Sequence, residues 1–232
     1  KNIYFKLLKK SAVVFTVKKE FLPIDSFVLQ NLPFQALLND QLNFSSSHSK
    51  KLLFIGKLSY SANARGLMWF LEEVWPSVLE VLPDLSLSIV SVSLPNDKFI
   101  LDLIESSSNT ELKINVERIG TFYKEASMVI APIFEGGWSN IKIAEALYFG
   151  RIVLTTDFGI KGFTHYSNQP FILIGNSADF WKERILSEFN DPRNLIENQK
   201  LAFSIFRSDF SLEKWSESLL CTVTNELEKG QI

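Results

Sequence analysis

The stretch from 128 to 163 constrains the fold of this chain more than any other part of the sequence. It contains a buried strand at 128–134, a turn at Glu135-Gly136-Gly137, a helix at 140–149 and a second buried strand at 152–156. Ser139 occupies the N-cap position of the helix, and Gly150 follows its last turn. The sequence therefore predicts a strand–turn–helix–strand unit whose glycine turn lies at the carboxyl edge of a parallel sheet.

The start of the predicted helix suits an anionic ligand. Gly136 and Gly137 have no side chains to cover the free backbone N–H groups, and Lys142 adds a positive charge in the first turn. Glu145 follows on the same helix face, among mostly apolar neighbours. An ionised carboxylate can accept hydrogen bonds from both hydroxyls of a diol, so a diol is a suitable partner for Glu145. The alternative is that Lys142 and Glu145 pair with each other on a solvated surface.

The remaining sequence predicts the same architecture. Further strands are predicted at 52–55, 85–92, 112–119 and 171–174, and helices at 65–82, 97–106, 122–126, 178–190, 192–207 and 211–228. Strands that alternate with helices over this length indicate an α/β fold with a doubly wound parallel sheet and extra helices at the C-terminal end. In the helix at 65–82 the apolar face includes Val81, and Pro192 is at a helix start.

The first fifty residues have a different pattern. Residues 3–10 resemble the end of an amphipathic helix with a basic side, for which contact with anionic lipid is an alternative to simple solvation. Short strands are predicted at 12–17 and 26–30, followed by a surface linker at 34–50.

Composition excludes several classes of protein. The 232 residues have a formal net charge of −2 and a pI near 5.8, which argues against a dedicated nucleic-acid binder. A single cysteine, Cys221, and two histidines leave little for a Cys- or His-based metal site, and low cysteine usage fits a reducing, cytoplasmic location. No apolar run approaches the roughly 20 residues that span a bilayer.

Two segments resemble the donor-binding half of GT-B glycosyltransferases of the family 4 type. They read LLFIGKLSYSANARGLMWFLEEVWP and VIAPIFEGGWSNIKIAEALYFGRIVLTTDFGIKGF, and the order of elements matches from about Ser26 to Glu228. The resemblance implies that residues 26–232 form a nucleotide-sugar (donor) binding domain, one Rossmann-like half of a GT-B fold. Residues 1–25 would be the remnant of an N-terminal acceptor domain that is otherwise missing.

The resemblance also assigns roles to residues. Glu145 matches the second carboxylate of the family's Glu-x7-Glu motif, which holds the ribose, whereas the first carboxylate would fall at Gly137 and is absent. Relatives with a glycine-rich turn there usually have a small and a basic residue where this chain has Trp138 and Asn140. The expected donor-binding residues are Glu145, Lys142, Gly136, Gly137, Ser139, Asn140 and Lys57.

A second cationic element of the family follows the strand that ends at Gly56. Lys57 matches its first basic residue, and Arg65-Gly66 resembles its later Lys-Gly at a longer spacing. No catalytic residue is assigned, because the family's general base belongs to the acceptor domain.

The resemblance implies transfer of a sugar from a nucleoside-diphosphate sugar to a glycan or lipid acceptor, with retention and without a metal ion or other cofactor. The expected partners are the nucleotide sugar, the missing acceptor domain and the inner face of the membrane as a peripheral contact, with no nucleic acid. Two alternatives stay open: a degenerate domain that serves as an interaction module, and a sugar-nucleotide epimerase. A nicotinamide or flavin enzyme is disfavoured because no turn has the G-x-G-x-x-G spacing.

Overall fold

The computed structural model describes residues 15–16, 27–28, 49–136, 140–209 and 212–228. Its strands are β1 (Phe15–Thr16), β2 (Phe27–Val28), β3 (Lys51–Ile55), β4 (Ser86–Ser91), β5 (Thr110–Ile114), β6 (Met128–Ala131), β7 (Ile152–Thr155) and β8 (Ile172–Ile174). Strands β3 to β8 form one sheet in the order β5-β4-β3-β6-β7-β8, and every neighbouring pair is parallel. This order reverses direction between β3 and β6, as in a doubly wound Rossmann-like sheet, so the predicted fold class is confirmed.

Helices connect and flank these strands. They are α1 (Ser61–Trp69), α2 (Trp75–Leu79), α3 (Lys98–Ser106), α4 (Ile119–Glu125), α5 (Ile141–Tyr148), α6 (Ala178–Asn190), α7 (Pro192–Asp209) and α8 (Leu212–Glu228). A π-helical segment at Phe70–Val74 joins α1 to α2, and a 3-10 turn at Thr164–Tyr166 precedes β8. The three C-terminal helices and the position of Pro192 at a helix start agree with the predictions.

The core lies along the inner strands of the sheet. All four residues of β6 and all four of β7 are buried, as expected for parallel strands that are covered on both faces. Trp75 and Trp181 are the largest fully buried side chains, and Phe70 lies within 5.9 Å of both rings. This packing holds the π-helical segment and α2 against α6.

Two predicted strands are too long. The strand expected at 112–119 ends at Ile114, because Asn115 adopts a left-handed conformation with φ of 54°. The strand expected at 128–134 ends at Ala131, because Pro132 has no N–H group for a further ladder bond. The prediction was wrong beyond these points.

Several helix boundaries also differ from the prediction. The helix expected to start at Arg65 begins at Ser61, and it ends before Val81, whose side chain is 52% exposed and outside the core. The N-cap position of α5 is occupied by Asn140, not Ser139, and the Asn140 side chain forms no capping hydrogen bond.

The N-terminal region is described only at β1 and β2, which pair in parallel as a separate two-stranded sheet. The predicted helix at 3–10 and most of the predicted linker at 34–50 lie outside the described residues, as do Gly137, Trp138 and Ser139. The domain boundary at 26 stays a prediction. Within the described ranges, no helix has the length and apolar content needed to cross a membrane.

Candidate functional site

A cavity of about 480 Å³ lies at the carboxyl edge of the sheet. Its polar wall contains Gly56, Lys57, Asn63, Lys142 and Glu145, and its apolar wall comes from β4, the segment after β5 and the start of α4. Gly56 directly follows β3, and α5 follows β6, so the cavity lies where the strand order reverses. This is the position at which ligands bind in open α/β sheets.

Lys142 extends from the first turn of α5 into this wall. Its ammonium group donates a hydrogen bond to Oδ1 of Asn63, with 2.7 Å between the heavy atoms. It also lies 5.6 Å from the ring centre of Phe54. Burial lowers the pKa of Lys142 to about 8, although the negative charge of Glu145 raises it in part. Among the described residues, the hydrogen-bond partner of this partly buried ammonium group is a neutral amide, so the ammonium group can gain from an anionic ligand.

Glu145 is 9% exposed, one turn further along α5. Its Oε2 accepts a hydrogen bond of 2.8 Å from the hydroxyl group of Tyr123, and it lines the cavity. Burial raises the pKa of Glu145, while the Tyr123 hydrogen bond and the Lys142 charge lower it in part. Among the described residues, Oε1 accepts no hydrogen bond, so one carboxylate oxygen is left for a hydroxyl group of a ligand.

Tyr123 fixes the orientation of that carboxylate. It comes from α4 and is fully buried, with its ring stacked on Phe149 at 5.2 Å between centroids. Burial, and then the charge and hydrogen bond of Glu145, raise the pKa of Tyr123, so the phenol stays protonated and donates. The alternative of a solvated Lys142–Glu145 pair is therefore wrong: Glu145 is buried, and each group is hydrogen-bonded to a neutral partner instead.

Of the other predicted site residues that the structure describes, one lines the cavity and two do not. Lys57 is exposed on the cavity wall. Gly136 has a φ of 111°, and a Cβ atom there would lie 2.5 Å from the hydroxyl oxygen of Tyr60, so the turn requires glycine. Asn140 is buried, and its side-chain amide donates a 2.6 Å hydrogen bond to the carbonyl oxygen of Gly159. The structure thus brings Lys57, Lys142 and Glu145 together, whereas Gly136 and Asn140 form contacts elsewhere.

Arg65 and Gly66 contact the turn after β6. The guanidinium group of Arg65 forms an exposed ion pair with Glu135, and Arg65 does not line the cavity. Gly66 packs against the backbone of Pro132. The two residues that resemble the family's cationic element therefore have other contacts here: Arg65 forms a surface ion pair, and Gly66 forms a packing contact.

Sequence reasoning missed Asn63 and Tyr123. Asn63 lies on α1, 79 residues before Lys142, and Tyr123 lies on the helix before α5, 22 residues before Glu145, so both contact α5 only in the folded chain. A carboxylate and an ammonium group that are removed from water need hydrogen-bond partners. That requirement could have prompted a search for polar residues on neighbouring helices.

The family model of glycosyl transferases group 1 matches residues 49–191, which is more than half of the chain. A curated relative is an uncharacterized 44.6 kDa protein in the cps region of Klebsiella pneumoniae. It is 27% identical over 171 residues, which cover 68% of this chain and 41% of that protein.

Solved structures show the same fold. TarM of S. aureus, in a complex that contains UDP, has a TM-score of 0.74 and 15% identity, with 94% of this chain and 45% of TarM covered. The pneumococcal O-GlcNAc transferase GtfA, in complex with UDP and GlcNAc, has a TM-score of 0.64 and 16% identity, with 97% and 47% covered. The glycosyltransferase WaaG has a TM-score of 0.60 and 15% identity, with 85% and 57% covered.

The chain spans less than half the length of the curated relative and of TarM. Its matched part coincides with the six-stranded sheet and the helices that carry the cavity. The chain belongs to the glycosyl transferases group 1 family, and its sheet is a family 4 type domain of the GT-B fold.

Proposed function

We propose that the cavity binds the nucleoside diphosphate part of a sugar donor and that the chain is the donor-binding domain of a glycosyltransferase. The observation that carries the proposal is the convergence of Lys142 and Glu145 in one cavity, each with a neutral hydrogen-bond partner. An ammonium group suits a diphosphate, and a carboxylate suits a ribose diol. The presence of UDP in the complexes of TarM and GtfA supports the choice of ligand.

The contribution of this domain to the reaction would be positioning and charge stabilisation. When the bond from the sugar to the diphosphate breaks, negative charge develops on the departing phosphate oxygens. Lys142, with Lys57 on the same wall, would stabilise that charge, and Glu145 would hold the ribose so that the bond to the sugar is correctly placed. The proposal includes retention and a glycan or lipid acceptor, both of which rest on the family resemblance, and no metal ion.

Glu145→Gln tests the ribose contact. The substitution keeps the shape of the side chain but removes the charge from its hydrogen bonds; charged bonds are worth about 1.5–3 kcal/mol and neutral ones about 0.5–1.5 kcal/mol. We expect nucleoside diphosphate affinity to fall roughly tenfold. The native chain should bind a deoxyribose analogue more weakly than the ribose nucleotide. The variant should bind the two with nearly equal affinity. Calorimetry with uridine, guanosine, adenosine, cytidine and thymidine diphosphates would measure these differences.

Glu188→Gln is the matched control. Glu188 is another buried carboxyl group with a pKa raised by burial, but it lies on α6 and does not line the cavity. We expect this variant to bind nucleotides as the native chain does. Undiminished binding by Glu145→Gln would remove the ribose contact from the proposal, and no binding of any nucleotide by the native chain would favour an interaction module.

A further inference from the structure

Asn63 lies between the two basic residues of the cavity. Its Oδ1 accepts the 2.7 Å hydrogen bond from the ammonium group of Lys142, and its Nδ2 donates a 3.0 Å hydrogen bond to the backbone carbonyl oxygen of Lys57. Asn63 is on the first turn of α1, so it links the segment after β3 to the first turn of α5. Both cationic residues of the site are therefore connected through one side chain.

A side-chain amide satisfies both partners at this position. An ammonium group can only donate and a carbonyl group can only accept, so the side chain between them must accept at one end and donate at the other. A carboxylate would attract the ammonium group of Lys142, but it has no N–H or O–H group to donate to the carbonyl oxygen of Lys57. Gly56 leaves the room for this arrangement, because a Cβ atom there would lie 3.0 Å from Nδ2 of Asn63 and 3.1 Å from Nζ of Lys142.

The neutrality of Asn63 has a consequence for the charge of the site. Within the described ranges, no carboxylate lies within ion-pair distance of Lys142. Glu145 is the acidic residue on the cavity wall, and its Oε2 is occupied by Tyr123. A neutral acceptor thus fixes the position of the ammonium group without cancelling its charge, which stays available to an anion.

We propose that Asn63 is a positioning residue that holds the Lys142 ammonium group in the cavity and, being uncharged, leaves its positive charge for the phosphates of the ligand. This inference rests on the proposed function, because it assigns Lys142 to the diphosphate. It predicts that the charge of the residue at position 63, and not only its size, determines the affinity for phosphate.

Asn63→Asp is the informative substitution, because it changes the charge with almost no change in shape. A carboxylate at this distance pairs with Lys142, so affinity for the tightest-binding nucleoside diphosphate and for pyrophosphate should fall about tenfold or more. Affinity for the nucleoside with the same base but no phosphates should change by less than about twofold. Binding is measured by calorimetry on the full chain.

The pH profile separates this role from a merely structural one. Lys142 has a pKa of about 8, so pyrophosphate affinity of the native chain should decline as the pH rises through about 8. Among the described residues, the other charged groups on the cavity wall are Glu145 and Lys57, and the hydroxyl group of Tyr123 faces Glu145 from α4. A carboxylate at position 63 raises the pKa of Lys142, so the decline should move to higher pH in Asn63→Asp. A loss of packing alone would leave it in place.

Asn194→Asp is the matched control, since it makes the same chemical change at an exposed position on α7 that does not line the cavity. It should bind as the native chain does. If Asn63→Asp does not fold, as judged by thermal unfolding, Asn63→Ala takes its place. It removes the acceptor that positions the ammonium group, so diphosphate affinity should fall selectively, without a shift of the pH profile to higher pH. Unchanged phosphate affinity and an unchanged pH profile in a folded position-63 variant would overturn this inference. In that case the proposed function would still stand if Lys142→Met weakened nucleotide binding. Failure of the native chain to bind any nucleotide would overturn both.

Discussion

Replacing Gly66 by Ala is expected to lower the free energy of unfolding by about 3 kcal/mol. In an ordinary helix the same substitution stabilises by about 1 kcal/mol, because Ala has the higher helix propensity. Here a Cβ atom would lie 1.8 Å from the carbonyl oxygen of Pro132 and 3.0 Å from its carbonyl carbon. These are backbone atoms that cannot rotate away, so α1 must move from the chain that follows β6, and the sign of the effect is reversed.

Urea denaturation of the native chain and Gly66→Ala measures this difference, and the melting temperature should fall by roughly 2–4 °C for each kcal/mol. Arg65→Ala is the control on the adjacent residue. It removes only the exposed ion pair with Glu135, and surface pairs contribute about 0.2–1 kcal/mol. A Gly66→Ala variant as stable as the native chain, or more stable, would show that α1 does not approach Pro132 this closely.

Lys142→Met should reduce nucleoside diphosphate affinity by roughly 10- to 100-fold, since hydrogen bonds to charged groups contribute about 1.5–3 kcal/mol. Met keeps an unbranched, apolar side chain against Phe54 and removes only the ammonium group. The affinity for a nucleoside without phosphates should change little. Calorimetry with a nucleoside diphosphate, the monophosphate and the nucleoside measures the dependence on phosphate number, and equal losses for all three would contradict a phosphate contact.

The stability of Lys142→Met provides an independent check. Burial lowers the pKa of Lys142 from 10.5 to about 8 in the folded protein, so between these values the unfolded chain binds more protons than the folded chain. The free energy of unfolding of the native chain should therefore rise relative to Lys142→Met as the pH increases from about 8 to 10.5. Urea denaturation at several pH values gives this difference, and a constant difference would show that Lys142 titrates normally.

The positions of the strands along the chain could be predicted because parallel strands with both faces covered are continuous apolar runs. The run at 128–134 shows the limit of this signal. Ile133 is buried in the core although β6 ends at Ala131, so burial extends the apolar pattern beyond the hydrogen-bonded strand. Val81 shows the converse, since it follows the periodicity of α2 but lies past its end.

The site was predictable where its residues share one helix. Lys142 and Glu145 are three positions apart, so sequence alone placed them on one face. Asn63 and Tyr123 contact them across the fold, and no local pattern encodes such contacts. Asn140 could not be assigned from sequence either, because its partner, the carbonyl oxygen of Gly159, is brought to it by the turn after β7.

The most direct test of the central claim is a titration of the ¹⁵N-labelled chain with nucleoside diphosphates, followed by amide chemical shifts. If the cavity at the strand reversal binds the nucleotide, the largest shifts should occur at Gly56, Lys57, Asn63, Lys142 and Glu145. The signals of α6, which contributes no residue to the cavity wall, should stay unchanged. Shifts confined to surfaces away from this cavity, or none with any of the five nucleotides at millimolar concentration, would contradict the account.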